Sequence, residues 1–178
     1  MADELIDIVN ESGKPLGFSK MKSRAHIDGD WHRSAHVWVA SKGKIAMQKR
    51  AGSKEFFPGK FDVSCAGHVK SGESCEDAAI RELKEELGLD VSGSDLKPLF
   101  KRNQTSKSGG LVSREVMEVF LLRLRLGENI IPDPSEISEV RFFSPKELRA
   151  LISSKPSMFV DDTAYFLDAI SRIEPIIA

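Results

Sequence analysis

The chain has 178 residues, 40% of them hydrophobic and 30% charged, with a formal net charge of −1. That length supports one hydrophobic core, and the balance is that of a globular chain rather than a disordered one. It excludes the basic footprint of a nucleic-acid binder, and no apolar run approaches the roughly 18 residues that a membrane-spanning helix needs. The opening Met1-Ala2-Asp3-Glu4 is acidic and does not read as a signal peptide. Cys65 and Cys75 are too few for a disulfide framework, so a cytoplasmic, reducing setting is expected. One domain over residues 1–178 is expected.

The first expected strand is Leu5 to Val9, closed by the turn cluster Asn10-Glu11-Ser12-Gly13. The polar stretch Lys20 to Arg33, with His26, Asp28, Asp30 and His32, reads as a loop. His36 to Ala40 and Ile45 to Gln48, joined by Ser41-Lys42-Gly43-Lys44, read as a hairpin, and Phe61 to Ala66 as a short strand. A helix is expected from about Cys75 to Leu87. Lys97 to Arg102 and Glu115 to Leu126 are further strand candidates, with residues 103–110 between them as a polar, mobile loop that could close over a ligand. Glu139 to Phe143 is another strand. Ser144-Pro145-Lys146-Glu147 has the N-cap, the N1 proline and the capping-box acid of a helix start. The last helix is expected from about Asp161 to Ile173, with Ala164, Leu167, Ala169, Ile170 and Ile173 as its apolar stripe. Strands outnumber helices, and the helices sit between or after them. The expected class is α/β (α+β), a mixed sheet sandwiched between helices.

The helix after Ser74 carries the chemistry. Ser74 and Asp77 have capping-box spacing, and Gly88 stands where a left-handed C-cap belongs. Ala79, Leu83 and Leu87 give one apolar face, while Glu82, Glu85 and Glu86 at i, i+3 and i+4 crowd another. An acidic helix surface would be the ordinary reading of those glutamates alone. Carboxylates packed at that spacing repel one another, and a hard divalent cation removes the repulsion.

The wider spacing goes further. Gly67, then Glu73, then Arg81-Glu82-Leu83-Lys84-Glu85-Glu86-Leu87-Gly88-Leu89 reads Gly-x5-Glu-x7-Arg-Glu-aliphatic-x-Glu-Glu-x-Gly-aliphatic. This is the Nudix box, over residues 67–89, and the chain resembles the Nudix superfamily along most of its length. The resemblance implies a Nudix fold and a hydrolase that cleaves a diphosphate bond with Mg²⁺, for which Mn²⁺ can substitute. It implies Glu85 and Glu86 as the principal metal ligands, Glu82 as a further ligand or as the base for the attacking water, and a main-chain carbonyl around Ala66-Gly67 completing the set. Glu82, Glu85, Arg81 and Glu115 form the implied catalytic set. Glu73 is expected to pair with Arg81 and brace the box, and Gly67 and Gly88 to supply backbone freedom.

Asp7 to Glu11, His32-Arg33, Lys49-Arg50 and Phe57-Pro58-Gly59 look like the branch related to isopentenyl diphosphate isomerase. In that branch Arg50 and Lys54 align with a segment that grips a substrate diphosphate, a role that a guanidinium fork and an ammonium suit. The isomerase itself needs a cysteine directly before the Gly-His pair. Ala66 stands there, and Cys65, one position earlier, falls on the opposite face of a strand. His26, His68 and Glu115 match isomerase metal positions, but Ser113 stands in place of a second glutamate. The intact box favours hydrolysis over isomerisation, and over a ligand-sensing Nudix domain without catalysis. Hydrolase members of the branch are linked with isoprenoid and nucleoside diphosphates, so a compact diphosphate is the expected small-molecule partner, and a homodimer stays open. His26, His32 and His36 are weighed as a second metal site, with loop or core roles preferred. Trp38, mid-strand, reads as core. Glu115 and Glu118 lie three apart on one strand, so only one can face the metal, and the resemblance selects Glu115.

Overall fold

The computed structural model describes residues 3–54, 56–125, 127–160 and 162–178. Nine strands and four α-helices are found among them. The strands are β1 (Leu5–Val9), β2 (Pro15–Met21), β3 (Trp31–Ser41), β4 (Lys44–Arg50), β5 (Phe61–Asp62), β6 (Cys65–His68), β7 (Leu96–Ser108), β8 (Leu111–Arg123) and β9 (Ile137–Phe143). The helices are α1 (Lys22–Asp28), α2 (Cys75–Leu87), α3 (Pro145–Ser154) and α4 (Thr163–Ile177).

β3 organises the molecule. One edge pairs in parallel with β8, from Trp31 opposite Arg114 to Ala40 opposite Arg123. The other edge is shared in turn by β1 at His32, β6 from Ser34 to Val37, and β4 at Ala40 and Ser41. Such a strand has no wet side, and its residues from Ser34 to Ala40 are all buried. Its two faces then serve two cores. Ala35, Val37 and Val39 pack with Cys65 and with Ala78, Ala79, Leu83 and Leu87 of α2. Trp38 and Ala40 pack with Met117, Val119 and Leu121 of β8, with Leu148 and Ile152 of α3 and with Phe166, Ala169, Ile170 and Ile173 of α4. The sheet therefore lies between α2 and the α3–α4 pair, as expected from the order of elements.

Several expectations need correction. The stretch Lys20 to Arg33 is not a loop: it holds the end of β2, all of α1 and the start of β3. Residues 103–108 are likewise strand, paired with β8 out to Ser108 opposite Leu111, and Gly109 and Gly110 form the turn with φ of 55° and 86°. Two successive positive φ values suit the mirror-image turns that match strand twist. Phe61 to Ala66 is split between β5 and β6. On α4, Ala164 and Leu167 are not part of the buried stripe, which runs through Tyr165, Phe166, Ala169, Ile170, Ile173 and Ile177. Leu126 and Asp161, at the ends of two expected elements, lie outside the described residues. The α3 start carries the full capping box expected at Ser144 and Glu147.

Candidate active site

α2 begins at Ser74, whose hydroxyl accepts from Asp77 N at 3.0 Å and donates to the Asp77 carboxylate at 2.6 Å. The two side chains thus bond each other, in place of a return bond from Asp77 to the Ser74 backbone. Gly88 ends the helix at φ 66°, with its N–H directed at the Leu83 and Lys84 carbonyls. Ala79, Leu83 and Leu87 are fully buried as the apolar face. That seating carries Glu82 and Glu86, at i and i+4, to the edge of the sheet at β6, where they are only 8% and 7% exposed. Glu85 lies on the flank, with 55% of its side chain exposed, and faces Arg81.

Arg81 braces the arrangement. Its Nε and Nη2 donate to the two Glu73 oxygens at 2.8 and 3.0 Å, Nη2 also to the His68 carbonyl at 3.0 Å, and Nη1 to Glu82 Oε1 at 2.6 Å. Glu73 in turn accepts from Lys70 N at 3.0 Å. The loop before α2, strand β6 and the helix are thereby tied at one guanidinium. Gly67 completes the fit: a Cβ there would stand 2.0 Å from Glu82 Cδ. Its glycine is required by that close approach, since φ there is not in the left-handed region.

A cavity of about 450 Å³ opens beside this corner. Its lining includes Glu86, Ala66 and Gly67 from the box region, Glu115, His36 and His68 from the neighbouring strands, Arg50 and Lys54 from the end of β4 and the segment after it, and Gln104 and Ser106 from β7 of the β7–β8 hairpin. The hairpin expected as a loop is thus a strand wall of the cavity. Cys65, one residue before Ala66, turns away and packs under α2. Glu118 also turns from the cavity and pairs with Lys101 at 2.6 Å. Arg50 donates to the Phe56 carbonyl at 2.9 Å and to Asp62 at 3.2 Å, and Lys54 is ion-paired with Glu136. Both expected phosphate-binding cations therefore line the cavity with partners already attached, partners that the sequence did not announce.

The electrostatics are unbalanced. Burial, then the charge of Glu82, pushes the Glu86 carboxyl up to about 8. Burial also raises Glu82, against the opposing pull of Arg81. Two buried carboxylates one helical turn apart, with one arginine between them and Glu73, form an oxygen-donor set that fits a hard divalent cation.

A second group differs from the sequence expectation. His26, His32 and His68, not His36, stand together, each offering a nitrogen within 4.8 Å of the others. α1 supplies His26, β3 His32 and β6 His68. Their hydrogen bonds sort the nitrogens. His32 Nδ1 faces the Asp30 carbonyl at 3.0 Å, an acceptor only, so that nitrogen carries the proton and Nε2 keeps its lone pair. Ser113 Oγ donates to Glu115 Oε1 at 2.7 Å, so it has no proton left for His32 Nε2 at 3.4 Å. His26 Nδ1 and His68 Nε2 are buried without a partner, as are Ser34 Oγ and Gln104 Oε1, all on residues that line the cavity. Buried polar atoms without partners are rare, and here four belong to the lining of one space. Three imidazole nitrogens beside Glu115 fit a borderline transition-metal ion better than Mg²⁺.

Burial lowers His26 to about 4 and His68 well below its ordinary value. Both depress the folded-state pKa of a base, so stability is retained above about 6.5, where the unfolded chain's histidines are neutral, and is lost as pH falls from there toward 4. A falling denaturation midpoint over that interval is expected, with a shallower fall in His26→Gln. A midpoint flat across it would contradict the burial of neutral imidazoles.

A family profile described as NUDIX domain matches residues 30–167. The chain is 31% identical to Nudix hydrolase 3 of Arabidopsis thaliana over 90% of its own length but only 22% of that protein. It is 38% identical to a Nudix hydrolase of Clostridium acetobutylicum over 68% of its length and 60% of the relative's. The chain therefore spans less than two thirds of either. It is also 31% identical to an isopentenyl-diphosphate Delta-isomerase of Nocardia farcinica, with 92% of both chains covered. Among solved structures, DR0079 of Deinococcus radiodurans superposes with a TM-score of 0.75 at 28% identity, covering 95% of this chain and 98% of that one.

Proposed function

The chain belongs to the Nudix family, in the branch with isopentenyl-diphosphate isomerase relatives, and from that premise we propose that it hydrolyses a compact diphosphate with Mg²⁺. The observation that carries this reading is Glu86, a buried carboxylate at a cavity, raised by burial and by Glu82 beside it. Glu82, Glu85 and Glu86, with the main chain at Ala66-Gly67, would hold Mg²⁺, which supplies charge neutralisation to the diphosphate oxygens. Mn²⁺ would serve in its place. Glu82, held by Arg81, takes the proton of the attacking water. Glu115, a further carboxylate of the cavity lining, would align water or a phosphate-bound cation. Arg50 and Lys54 bind phosphate oxygens by exchanging Asp62 and Glu136 for them, which keeps their charges neutralised when the cavity is empty.

An isomerase reading is favoured by the histidine group, by Glu115 and by relatives of that name. Against it stands Ala66: a methyl group cannot move a proton, and Cys65 is buried under α2 with its thiol raised by that burial. A panel of nucleoside diphosphates, nucleoside triphosphates, sugar nucleotides, dinucleotides and isoprenyl diphosphates, with Mg²⁺ or Mn²⁺, separates the two. Release of phosphate or of a nucleoside monophosphate from at least one member is expected. Conversion of isopentenyl diphosphate to its isomer, with no phosphate released from any member, would replace this reading with the other.

A further inference from the structure

His36 stands apart from the other histidines of the cavity. It lies on β3 opposite Ala66 of β6, it lines the cavity, and it is 8% exposed. Its Nδ1 is 3.1 Å from the Tyr165 hydroxyl, and that same hydroxyl lies 3.1 Å from Trp38 Nε1. Trp38 is fully buried, and Tyr165, which also lines the cavity, is 2% exposed. An indole N–H can only donate. The tyrosine oxygen therefore accepts from Trp38, and its own proton needs an acceptor. Among the described residues that acceptor is His36 Nδ1. A proton on Nδ1 would leave the buried tyrosine O–H without an acceptor, at the full desolvation cost of a polar group with nothing in return. Nδ1 is thus the acceptor, and the ring's proton sits on Nε2.

That nitrogen is near Glu115, with Nε2 3.9 Å from Oε2, within ion-pair range but longer than a hydrogen bond. The other oxygen, Oε1, accepts from Ser113 Oγ at 2.7 Å. The carboxylate thus accepts from a hydroxyl on one oxygen and has an imidazole nitrogen at ion-pair range, beyond hydrogen-bond distance, from the other. His32, four residues earlier on the same strand, has the reverse arrangement, because a carbonyl rather than a hydroxyl faces its Nδ1. The alternation of β3 puts both rings on one face of the strand, and their different partners give them opposite chemistry. We infer that Trp38, Tyr165 and His36 form a fixed donor chain that keeps His36 as its Nε2–H tautomer, making Tyr165 and His36 positioning residues for Glu115 rather than metal ligands. The inference rests on the cavity being the catalytic site only for its consequence in turnover. The tautomer itself is independent of any substrate.

Long-range ¹H–¹⁵N correlation of the imidazoles near neutral pH tests it in the intact chain, with His36→Gln assigning the ring. A neutral His36 protonated on Nε2 is expected in the wild type. Averaging between tautomers is expected in Tyr165→Phe, which removes the hydroxyl and keeps the ring. Zn²⁺ added alone is expected to shift His26, His32 and His68 while leaving the His36 Nε2 proton in place. In Tyr165→Phe, Zn²⁺ binding is expected to weaken by less than the roughly 10–100-fold that loss of a ligand's immediate outer partner costs, because Tyr165 acts through His36. A cationic His36, an Nδ1–H tautomer in the wild type, or loss of the Nε2 proton to Zn²⁺ would each overturn the proposal. The wild-type spectrum decides even where Tyr165→Phe fails to fold.

Discussion

Glu86→Gln is expected to melt higher than the wild type in the absence of divalent cations, and to lose all stabilisation by Mg²⁺. The sign follows from the raised carboxyl. A group with an ordinary value near 4.5, held at about 8 in the folded protein, favours folding below 4.5 and progressively opposes it as pH rises through 8. Metal-free wild type should therefore lose stability between about pH 6.5 and 8, above the interval in which His26 and His68 act, and the glutamine variant should lose much less there. Every pH unit separating the folded and unfolded values corresponds to about 1.4 kcal/mol, and only part of that survives relaxation around the site, so a gain of a few kcal/mol is expected near pH 8. For a chain of this size that is roughly 5–10 °C in Tm. In the wild type, Mg²⁺ should recover this stability, because binding to the folded state alone stabilises it. Turnover of any active substrate should fall by more than the roughly 100-fold that loss of an outer partner of the metal costs. Differential scanning calorimetry across pH, with and without Mg²⁺, measures the stabilities, and a phosphate-release assay the turnover. A metal-free variant that melts no higher than wild type at pH 8 would remove the electrostatic case for the site.

Gly67→Ala is expected to disable the same site sterically. The added Cβ would stand 2.0 Å from Cδ and 2.1 Å from Oε1 of Glu82, a residue that is 8% exposed and held by Arg81 at 2.6 Å. Glu82 cannot swing aside without breaking that contact and disturbing the Arg81 brace to Glu73. Overpacking of this kind costs about 1–3 kcal/mol, and the displaced carboxylate should reduce Mg²⁺ affinity by at least roughly 100-fold. Gly52→Ala is the control, since nothing lies within 4 Å of a Cβ there. Calorimetric titration with Mg²⁺ should separate the two, with the control unchanged. Unchanged affinity in Gly67→Ala would show that Glu82 does not hold the cation.

What could be read in advance followed the physics of each segment. The box helix announced itself through local signals: a serine N-cap, a four-residue apolar repeat and a glycine stop. The part of β3 from His36 to Ala40 and the hairpin into β4 were legible because a strand buried on both sides is nearly all apolar there, whereas Trp31 to Arg33 fell in the stretch expected as a loop. β2 and α1 were not. Pro15–Met21 is exposed along most of its length and so carries no two-residue alternation, and Lys22–Asp28 is a two-turn helix with only Ala25 and His26 buried. Residues 103–108 looked like a loop because they are polar, yet pairing with β8 satisfies their backbone while their side chains alternate between exposed and half-buried. The two carboxylates on β8 were separable by alternation, and Glu115 and Glu118 do face opposite sides. The histidine group had no local signal. His26, His32 and His68 meet because the register places Ser34 opposite His68 and because α1 folds back beside β8. The counter-charges of Arg50 and Lys54 come from Asp62 and Glu136, neither of them an immediate neighbour along the chain.

Hydrolysis by water at phosphorus is the central claim. Its most direct test is to incubate the diphosphate panel with the Mg²⁺-loaded protein in ¹⁸O-labelled water and examine every product by mass spectrometry. The expected result is ¹⁸O in a phosphate or phosphomonoester product of at least one substrate, abolished in Glu86→Gln. Unlabelled diphosphates throughout, with isopentenyl diphosphate converted to an isomer of the same mass, would contradict it.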